Sequence, residues 1–552
     1  MFSPHHSDDV PRKINILSLN CWGLKFIAKQ RRERLLEIGK RLASYDCPPE
    51  IVGLQECWTQ EDYSNIRKQT RHILPYGKFY FGGIFGAGLA ILSKWPIEES
   101  SMFAYPLNGR PTAFFRGDWF VGKGVACARI RIGPGPSDIA AVFCTHLHAP
   151  YEREPHDSYL CHRTAQAWEI AKLMRAAAEK GHLAIGLGDF NMLPLSLAHR
   201  LITTHAPVRD VWRHLHPDSS VGAAIDPVEM ARKRPVPSAE YNLIENGATC
   251  DGLFNTWRWN KAKQKRLRKE GHIELDGRLP DPLGKRLDYI FVGDGGANWP
   301  SSSSAGAVPP SLWQSQSPSI SPQPQPEHWK WTIESARISM TERHPTLHCS
   351  LSDHFAVEAT LSRNPSSSSS PSSPSNSGET SSQEEESTSF LPIQKQETSA
   401  HNPLTPSTPV NAIANANTSA NPLGKPATVA PAADMYDDIL KMIHTYSVRE
   451  RFQRRVRVGH FLAALGVSVG CLVGIWWSPP QHAFVAFILC LVSTLSFAAG
   501  VLDGLIGGLF VSSELRALKE FEWEIRNAKR MALGMGLDIE QDLGQLGDNA
   551  RV

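Results

Sequence analysis

The chain has 552 residues, too many for one ordinary domain, so length alone calls for two or more units. Its 58 Lys and Arg nearly balance 55 Asp and Glu, and a formal net charge of +3 gives no global field to gather nucleic acid. Ten cysteines without a CxxC or any framework spacing exclude a disulfide scaffold; settings such as "ACARI" and "VFCTH" suit reduced, buried thiols facing the cytosol.

The N-terminus, "MFSPHHSDDVPRK", is polar and has no apolar signal-peptide core, so secretion is not expected. Residues 1–12 read as a tail. From Lys13 the chain alternates strand and helix signals. "KINILSLN" (13–20) has apolar residues at period two, and "RRERLLEIGKRLASYD" (31–46) reads as an amphipathic helix. "IVGLQE" (51–56), "LAILSKWPI" (89–97), "VACARIRI" (125–132) and "IAAVFCTHLH" (139–148) read as mostly buried strands. "HRTAQAWEIAKLMRAAAEKG" (162–181) is a helix with Gly181 placed to end it. "HLAIGLGDFNMLP" (182–194) opens as a strand and closes on Asp189 and Asn191. In extended backbone these two would share one side while Phe190 turns inward, although Gly-Asp and Asn near Pro also form ordinary turns. "RLDYIFV" (286–292) and "DHFAVEATL" (353–361) are further strands. Together, 13–362 reads as an α/β layered domain with one sizeable core.

Two segments fit no core. Residues 296–326 form a Ser/Pro/Gln-rich insertion, and 363–433 a longer Ser/Pro/Thr/Asn tract; such compositions bury too little apolar surface to offset ordering entropy, so both read as disordered, the second as a tether. Then the character changes. "RERFQRRVRV" (449–458) ends a basic juxtamembrane helix spanning 434–458. "HFLAALGVSVGCLVGIWW" (460–477) and "HAFVAFILCLVSTLSFAAGV" (482–501) follow, linked by "SPPQ". Each approaches the ~20 residues that span hydrocarbon, and together they predict a transmembrane hairpin over 459–511, with a buried soluble helical pair as the alternative. Arg449, Arg451, Arg454, Arg455 and Arg457 keep their flank cytoplasmic, and a hairpin returns the chain to the same side. Both the 13–362 domain and the 512–552 tail would then face the cytosol. The same arginines would attract anionic phospholipids, or serve only as a topology signal.

Several apolar strands end in a carboxylate, carboxamide or imidazole: Asn20, Glu56, His146 with His148, Asp189 with Asn191, Asp288, and Asp353 with His354. Singly each is a turn cap, a surface acid or a satisfied core His; jointly they suggest a site built at one edge of a sheet. Oxygen donors without a Cys/His cluster suit a hard cation such as Mg²⁺ rather than zinc. A His paired with an Asp is a general-base arrangement, and cation plus base is equipment for hydrolysing a phosphodiester.

The ordered motifs "LNCWG", "GLQE", "THLHA", "GDFN", "RLDYI" and "SDHF" resemble the endonuclease/exonuclease/phosphatase superfamily. They are nearest its membrane-bound neutral sphingomyelinases and inositol phosphosphingolipid phospholipases C. The resemblance implies a DNase I-like four-layer α/β sandwich, two packed mixed sheets flanked by helices, plus a two-helix transmembrane hairpin. It implies Glu56 as the main Mg²⁺ ligand with Asn20 beside it. His354 would be the base, oriented by Asp288; Asp189 and Asn191 would position nucleophile and phosphate; and His146 would stabilise phosphoryl charge or assist the leaving group. His148 would contact substrate. "GDWFVGKG" (117–124) meets G-x-x-x-x-G-K but lacks the following Ser or Thr, and a strand rather than a helix follows, against an NTPase P-loop. The resembling phospholipases carry a similar segment, which implies that Asp118 and Lys123 position the headgroup phosphate or switch the site on; a surface ion pair is the alternative.

The expected function is Mg²⁺-dependent phospholipase C hydrolysis of a phosphosphingolipid, leaving ceramide in the membrane. The alternatives are a nuclease or inositol polyphosphate phosphatase with the same catalytic set, or an inactive membrane-tethered scaffold. The expected location is the endoplasmic reticulum, with the mitochondrial outer membrane or another endomembrane as alternatives.

Overall fold

The computed structural model describes residues 10–152, 156–294, 330–364 and 430–533. The insertion (296–326) and nearly all of the tether (363–433) lie outside them. Twelve strands form two six-stranded sheets. The first sheet holds β1 (Lys13–Asn20), β2 (Ile51–Gln55), β3 (Tyr76–Tyr80), β4 (Leu89–Ser93), β11 (Trp331–Ser339) and β12 (Ala356–Arg363), in the order β11-β12-β1-β2-β4-β3. The second holds β5 (Ile97–Ala104), β6 (Gly124–Arg131), β7 (Ile139–His146), β8 (Leu183–Asp189), β9 (Arg209–Asp210) and β10 (Asp288–Gly293), in the order β5-β6-β7-β8-β10-β9. Each sheet has one parallel pair at its centre, β1 with β2 and β7 with β8; the other pairings are antiparallel.

The sheets pack face to face through Ile14, Ile16, Ile91, Val142, Ile185, Leu187 and Val357, all buried. Helices α1 (Arg31–Ala43) and α2 (Gln60–Thr70) cover the outer face of the first sheet through Leu35, Ile38, Leu42 and Ile66. Helices α3 (Leu160–Glu179) and α4 (Leu197–His205) cover the second through Ile170, Met174, Ala198 and Ile202. This is the expected four-layer α/β sandwich.

Two strand expectations need correction. "LAILSKWPI" is not one strand but two, β4 and β5, which belong to different sheets. Pro96 cannot donate to a ladder, and the chain crosses between the sheets at Lys94–Pro96. Strands β3 and β11 were not foreseen, because "YGKFY" and "WTIESARIS" carry exposed polar residues typical of sheet edges.

Gly188 sits where β7 and β8 press together, with φ +146; a Cβ there would lie 2.0 Å from the Thr145 carbonyl oxygen. Gly188→Ala should therefore destabilise the protein by about 3 kcal/mol, from strain and overpacking combined, read as a lowered midpoint in a denaturant melt. An unshifted midpoint would show that the strands can separate there without cost.

The C-terminal region adds a fifth layer. A single helix runs Ala430–Ile475, about 70 Å at 1.5 Å per residue, with no break between its basic and apolar parts. After a Pro turn, Ala483–Leu505 packs back against it, held by hydrogen bonds between Ser468 and Ser493 (2.7 Å) and from Ser496 to the Ala464 carbonyl (3.3 Å). Both helices are long and apolar enough to cross a membrane. A third helix, Val511–Ala532, follows a π-turn. It buries Leu518, Phe521 and Ile525 together with Met435, Tyr436, Ile439 and Ile443 of the first helix, against Cys161, Ala165 and Trp168 of α3. Polar pairs lock this contact: Glu514 accepts from the Tyr446 hydroxyl (2.7 Å) and lies 3.0 Å from His162 Nε2, and Arg110 lies 3.5 Å from Glu450. Residues 434–446 and 511–532 thus pack on the sandwich.

Candidate active site

Parallel pairing explains why distant polar residues meet. β1 and β2 run the same way, so Asn20 pairs with Gln55 and Glu56 follows at the same edge. β7 and β8 do likewise, setting His146 opposite Asp189. Strand β10 runs back, so its first residue, Asp288, pairs with Asp189. Strand β12 is antiparallel to β1, so the loop entering it brings Asp353 and His354 to the same edge.

There, Asn20 Nδ2 donates to Asp189 Oδ2 (2.9 Å) and Glu56 Oε1 (3.3 Å), tying the two sheets together. His354 Nδ1 lies 2.8 Å from Asp288 Oδ2, which fixes Nδ1 as the protonated nitrogen and turns Nε2 toward Asp189 Oδ2, 4.0 Å away. His146 Nε2 lies 3.6 Å from the same oxygen. Seven of the expected residues, Asn20, Glu56, His146, Asp189, Asn191, Asp288 and His354, therefore share one small region.

Asn191 arrives by a different route from the one expected. It lies past the strand with φ +46; its N–H donates to Asp189 Oδ1 (2.9 Å) and its Nδ2 to the Leu147 carbonyl (3.1 Å). The shared face comes from a turn rather than extended alternation, though Phe190 does enter the core.

Charge is concentrated here among buried side chains. Burial opposes a charge on His354, but Cys250 and then the Asp288 and Asp189 carboxylates outweigh it and hold the imidazole well above its usual pKa. Burial raises the Asp189 carboxyl, with Asp288 adding to it. His146 moves the opposite way: burial, then Lys123 and His354, depress it, so it stays neutral. Glu56 is raised by burial first and then by the Asp353 carboxylate nearby.

Glu56 fits a divalent cation on that last ground. Two carboxylates, one already strained toward protonation and supported by a single amide donor, form a hard-oxygen site whose repulsion Mg²⁺ would relieve. Asp189, Asp288 and His354 also place one ligand atom each within 4.8 Å of one another. That trio suits proton transfer better, since Asp288 already engages His354 Nδ1.

The Asp118/Lys123 segment is not a surface ion pair. Both residues are buried, and strand β6 follows, as expected of a segment that is not an NTPase loop. Lys123 Nζ donates to the carbonyls of His146 (3.3 Å) and Leu147 (3.2 Å), bracing the strand end that carries His146. Asp118 lies 3.6 Å from His148 Nδ1 rather than against Lys123. His148 is wholly buried, stacked near Tyr159 and His162, and burial lowers it to about 3. His148 has no exposed surface and lies behind Asp118.

Two residues escaped the sequence reading. Asp353 was visible in "SDHF" but received no role, because a charge beside the motif His reads as a loop acid. Arg34 looked like one charge on a solvated helix face. It is instead fully buried, stacked on Trp22, and donates to the carbonyls of Cys21 (3.2 Å), Trp22 (2.8 Å) and Leu351 (2.7 Å). It thereby joins the loop after Asn20 to the loop before His354.

Residues 17–354 match the model of the Endonuclease/Exonuclease/phosphatase family. The inositol phosphosphingolipids phospholipase C of Schizosaccharomyces pombe is 35% identical over 519 residues, 94% of both chains. The chain belongs to this family, in its inositol phosphosphingolipid phospholipase C branch. The enzyme of the same name from Saccharomyces cerevisiae is 29% identical over 538 residues, 94% of this chain and 90% of its own. Among solved structures, sphingomyelinase C from Streptomyces griseocarneus covers 63% of this enzyme and 99% of its own chain, at 16% identity and a TM-score of 0.37. As a member of the branch, this enzyme is a phosphoric diester hydrolase, which sets aside the inactive scaffold.

Proposed function

We propose that this enzyme is a Mg²⁺-dependent phospholipase C that hydrolyses a phosphosphingolipid, releasing ceramide and a phosphorylated headgroup. The observation that carries the reading is the His354–Asp288 pair set beside Asp189, which Asn20 ties to Glu56. It occurs in a chain whose near full-length relatives are named for inositol phosphosphingolipids.

The residues divide the reaction as follows. His354 Nε2, with its other nitrogen held by Asp288, takes a proton from the attacking water as the new P–O bond forms. Neutral His146 and the Asn191 amide face the phosphoryl oxygens and offer hydrogen bonds as charge grows there. Asp189, held by Asn20, orients the water. Bound to Glu56, with Asp353 and Asn20 beside it, Mg²⁺ would supply Lewis-acid stabilisation of the phosphoryl charge. The bond to the ceramide oxygen breaks, and that oxygen leaves as an alcohol by taking a proton from solvent, balanced by the one His354 later returns to solvent.

The C-terminal helices cross the membrane in this reading, with the sandwich on the cytosolic side. Arg449, Arg451 and Arg455 stay exposed on the first helix, where anionic phospholipid headgroups would meet them.

Purified full-length protein in mixed micelles, offered inositol phosphosphingolipid, sphingomyelin, plasmid DNA and soluble inositol phosphates, tests the proposal. Lipid turnover should vanish in EDTA and return with Mg²⁺. Faster turnover of DNA or soluble inositol phosphates, or undiminished lipid turnover in EDTA, would contradict it.

A further inference from the structure

We infer that the sandwich carries its own bilayer-seating surface, built from three apolar loops that surround the catalytic edge. The inference rests on the membrane-spanning reading of the hairpin but not on the substrate.

Strand register places the loops. The β3–β4 loop leaves from Tyr80, paired with Leu89, at the end where Leu54 pairs with Ala90 and Glu56 follows. Gly88 of that loop accepts from the Cys57 N–H (3.0 Å), one residue beyond Glu56. The loop after β1 leaves beside Gln55. The segment joining β5 to β6 leaves where Ala104 pairs with Gly124, at the His146 end of the second sheet. All three therefore open on the catalytic edge.

Each exposes large apolar side chains that touch no core. Phe26 in "GLKFIAKQ" is 91% exposed, Ile84 in "FGGIFGAG" 74%, and Phe115 in the 3₁₀ segment Pro111–Arg116 76%; Ile27, Phe85 and Phe114 accompany them. Apolar tips flanked by Lys25 and Lys29 have the composition of segments that lie in a lipid interface.

The foot of the hairpin sets the height of these loops. Asp503, at the base of the second apolar helix, pairs with Arg457 and lies 2.7 Å from His460 Nδ1, marking the first charged layer below the apolar spans. At that layer Arg457 also donates to the Thr112 carbonyl (3.3 Å), three residues from Phe115. Trp119 packs on Phe510 at the hairpin exit, with ring centroids 4.5 Å apart. Trp119 touches Phe120, and Phe120 touches Phe85 (5.9 Å), so aromatic contact runs unbroken from the hairpin to the β3–β4 loop. That loop is pinned in place: Ile84 and Phe85 N–H groups both point to the Phe120 carbonyl, and Gly83, at φ +52, lies so close that a Cβ would sit 2.3 Å from Gly122 N. A hairpin standing in a bilayer thus brings Phe115, Phe85 and Ile84 to the headgroup level. The lipid surface itself is the occupant, and the edge carrying Glu56 and His354 meets a phosphodiester at the depth where a membrane lipid carries it.

The test uses full-length protein in phospholipid nanodiscs. Cys47 and Cys490 are changed to Ser and Ala, and an environment-sensitive dye is attached at Ile84→Cys or Phe115→Cys. Ser137→Cys, in the β6–β7 turn at the opposite end of the sheet, is the control. Incorporation into the discs reports the hairpin separately from the loops, and no turnover is needed. Dye at positions 84 and 115 should shift to the blue and be quenched by brominated acyl chains at least about threefold more than at 137. Emission at 84 and 115 equal to that at 137 would overturn the inference. So would a blue shift that follows protein concentration in detergent without bilayer, since it would assign the surface to a second copy of the chain.

Discussion

Glu56→Gln is expected to lower kcat/KM on a phosphosphingolipid by about a thousandfold, while raising the melting temperature measured in EDTA. The first effect follows from losing the charge that holds the cation, a loss of several kcal/mol of transition-state stabilisation, or about a decade per 1.36 kcal/mol. The second follows from the sign of the pKa shift. Burial and the Asp353 carboxylate raise the Glu56 carboxyl, so without metal the fold loses stability as the pH rises past the ordinary glutamate value, and the loss is complete above the raised one. A neutral glutamine removes this cost and still accepts from Asn20. Activity down and stability up is the pattern of a group kept for function. A variant that loses stability and activity together would make Glu56 a structural residue.

Asp288→Asn should lower kcat by about 10²–10⁴, the range for a disabled general base, and should also move the pH profile. His354 can act as base only when deprotonated. Its pKa is raised because Cys250 and the Asp288 and Asp189 carboxylates together overcome the effect of burial, so the rising limb of kcat/KM should lie above the ordinary imidazole value of about 6.5. Removing one carboxylate shifts that limb to lower pH while the plateau falls. A plateau that falls with an unmoved limb would mean that Asp288 shapes the site without tuning the base.

The sandwich and the meeting of its polar strand ends were legible because strands advertise themselves twice. Runs such as "IAAVFCTH" must bury both faces, and a polar residue at the end of such a run can only stand at a sheet edge. Parallel pairing of β1 with β2 and of β7 with β8 then gathers those edges. What escaped was set by tertiary partners. The sequence marks α3 as a helix, but not that His162, Arg163, Gln166 and Trp168 are buried along with its apolar face, between the second sheet and the helices at 434–446 and 511–532. No local pattern reveals that second cover. Arg34 reads as one more charge in "RRERLLEIG" until the Trp22 ring and the carbonyls of Lys29, Cys21, Trp22 and Leu351 close around it. Of the two readings open for Asn191, extended alternation and a turn, the structure takes the turn.

The central claim is that a cation on Glu56 and the Nε2 of His354 address one phosphorus atom from two sides. Anomalous diffraction from Mn²⁺-loaded protein with a non-hydrolysable phosphodiester tests it most directly. The ion should lie about 2.1 Å from a Glu56 oxygen, at octahedral oxygen-ligand distance, with His354 Nε2 bonded to a water in line with the leaving oxygen. An ion seated instead among Asp189, Asp288 and His354, leaving Glu56 without metal, would contradict it.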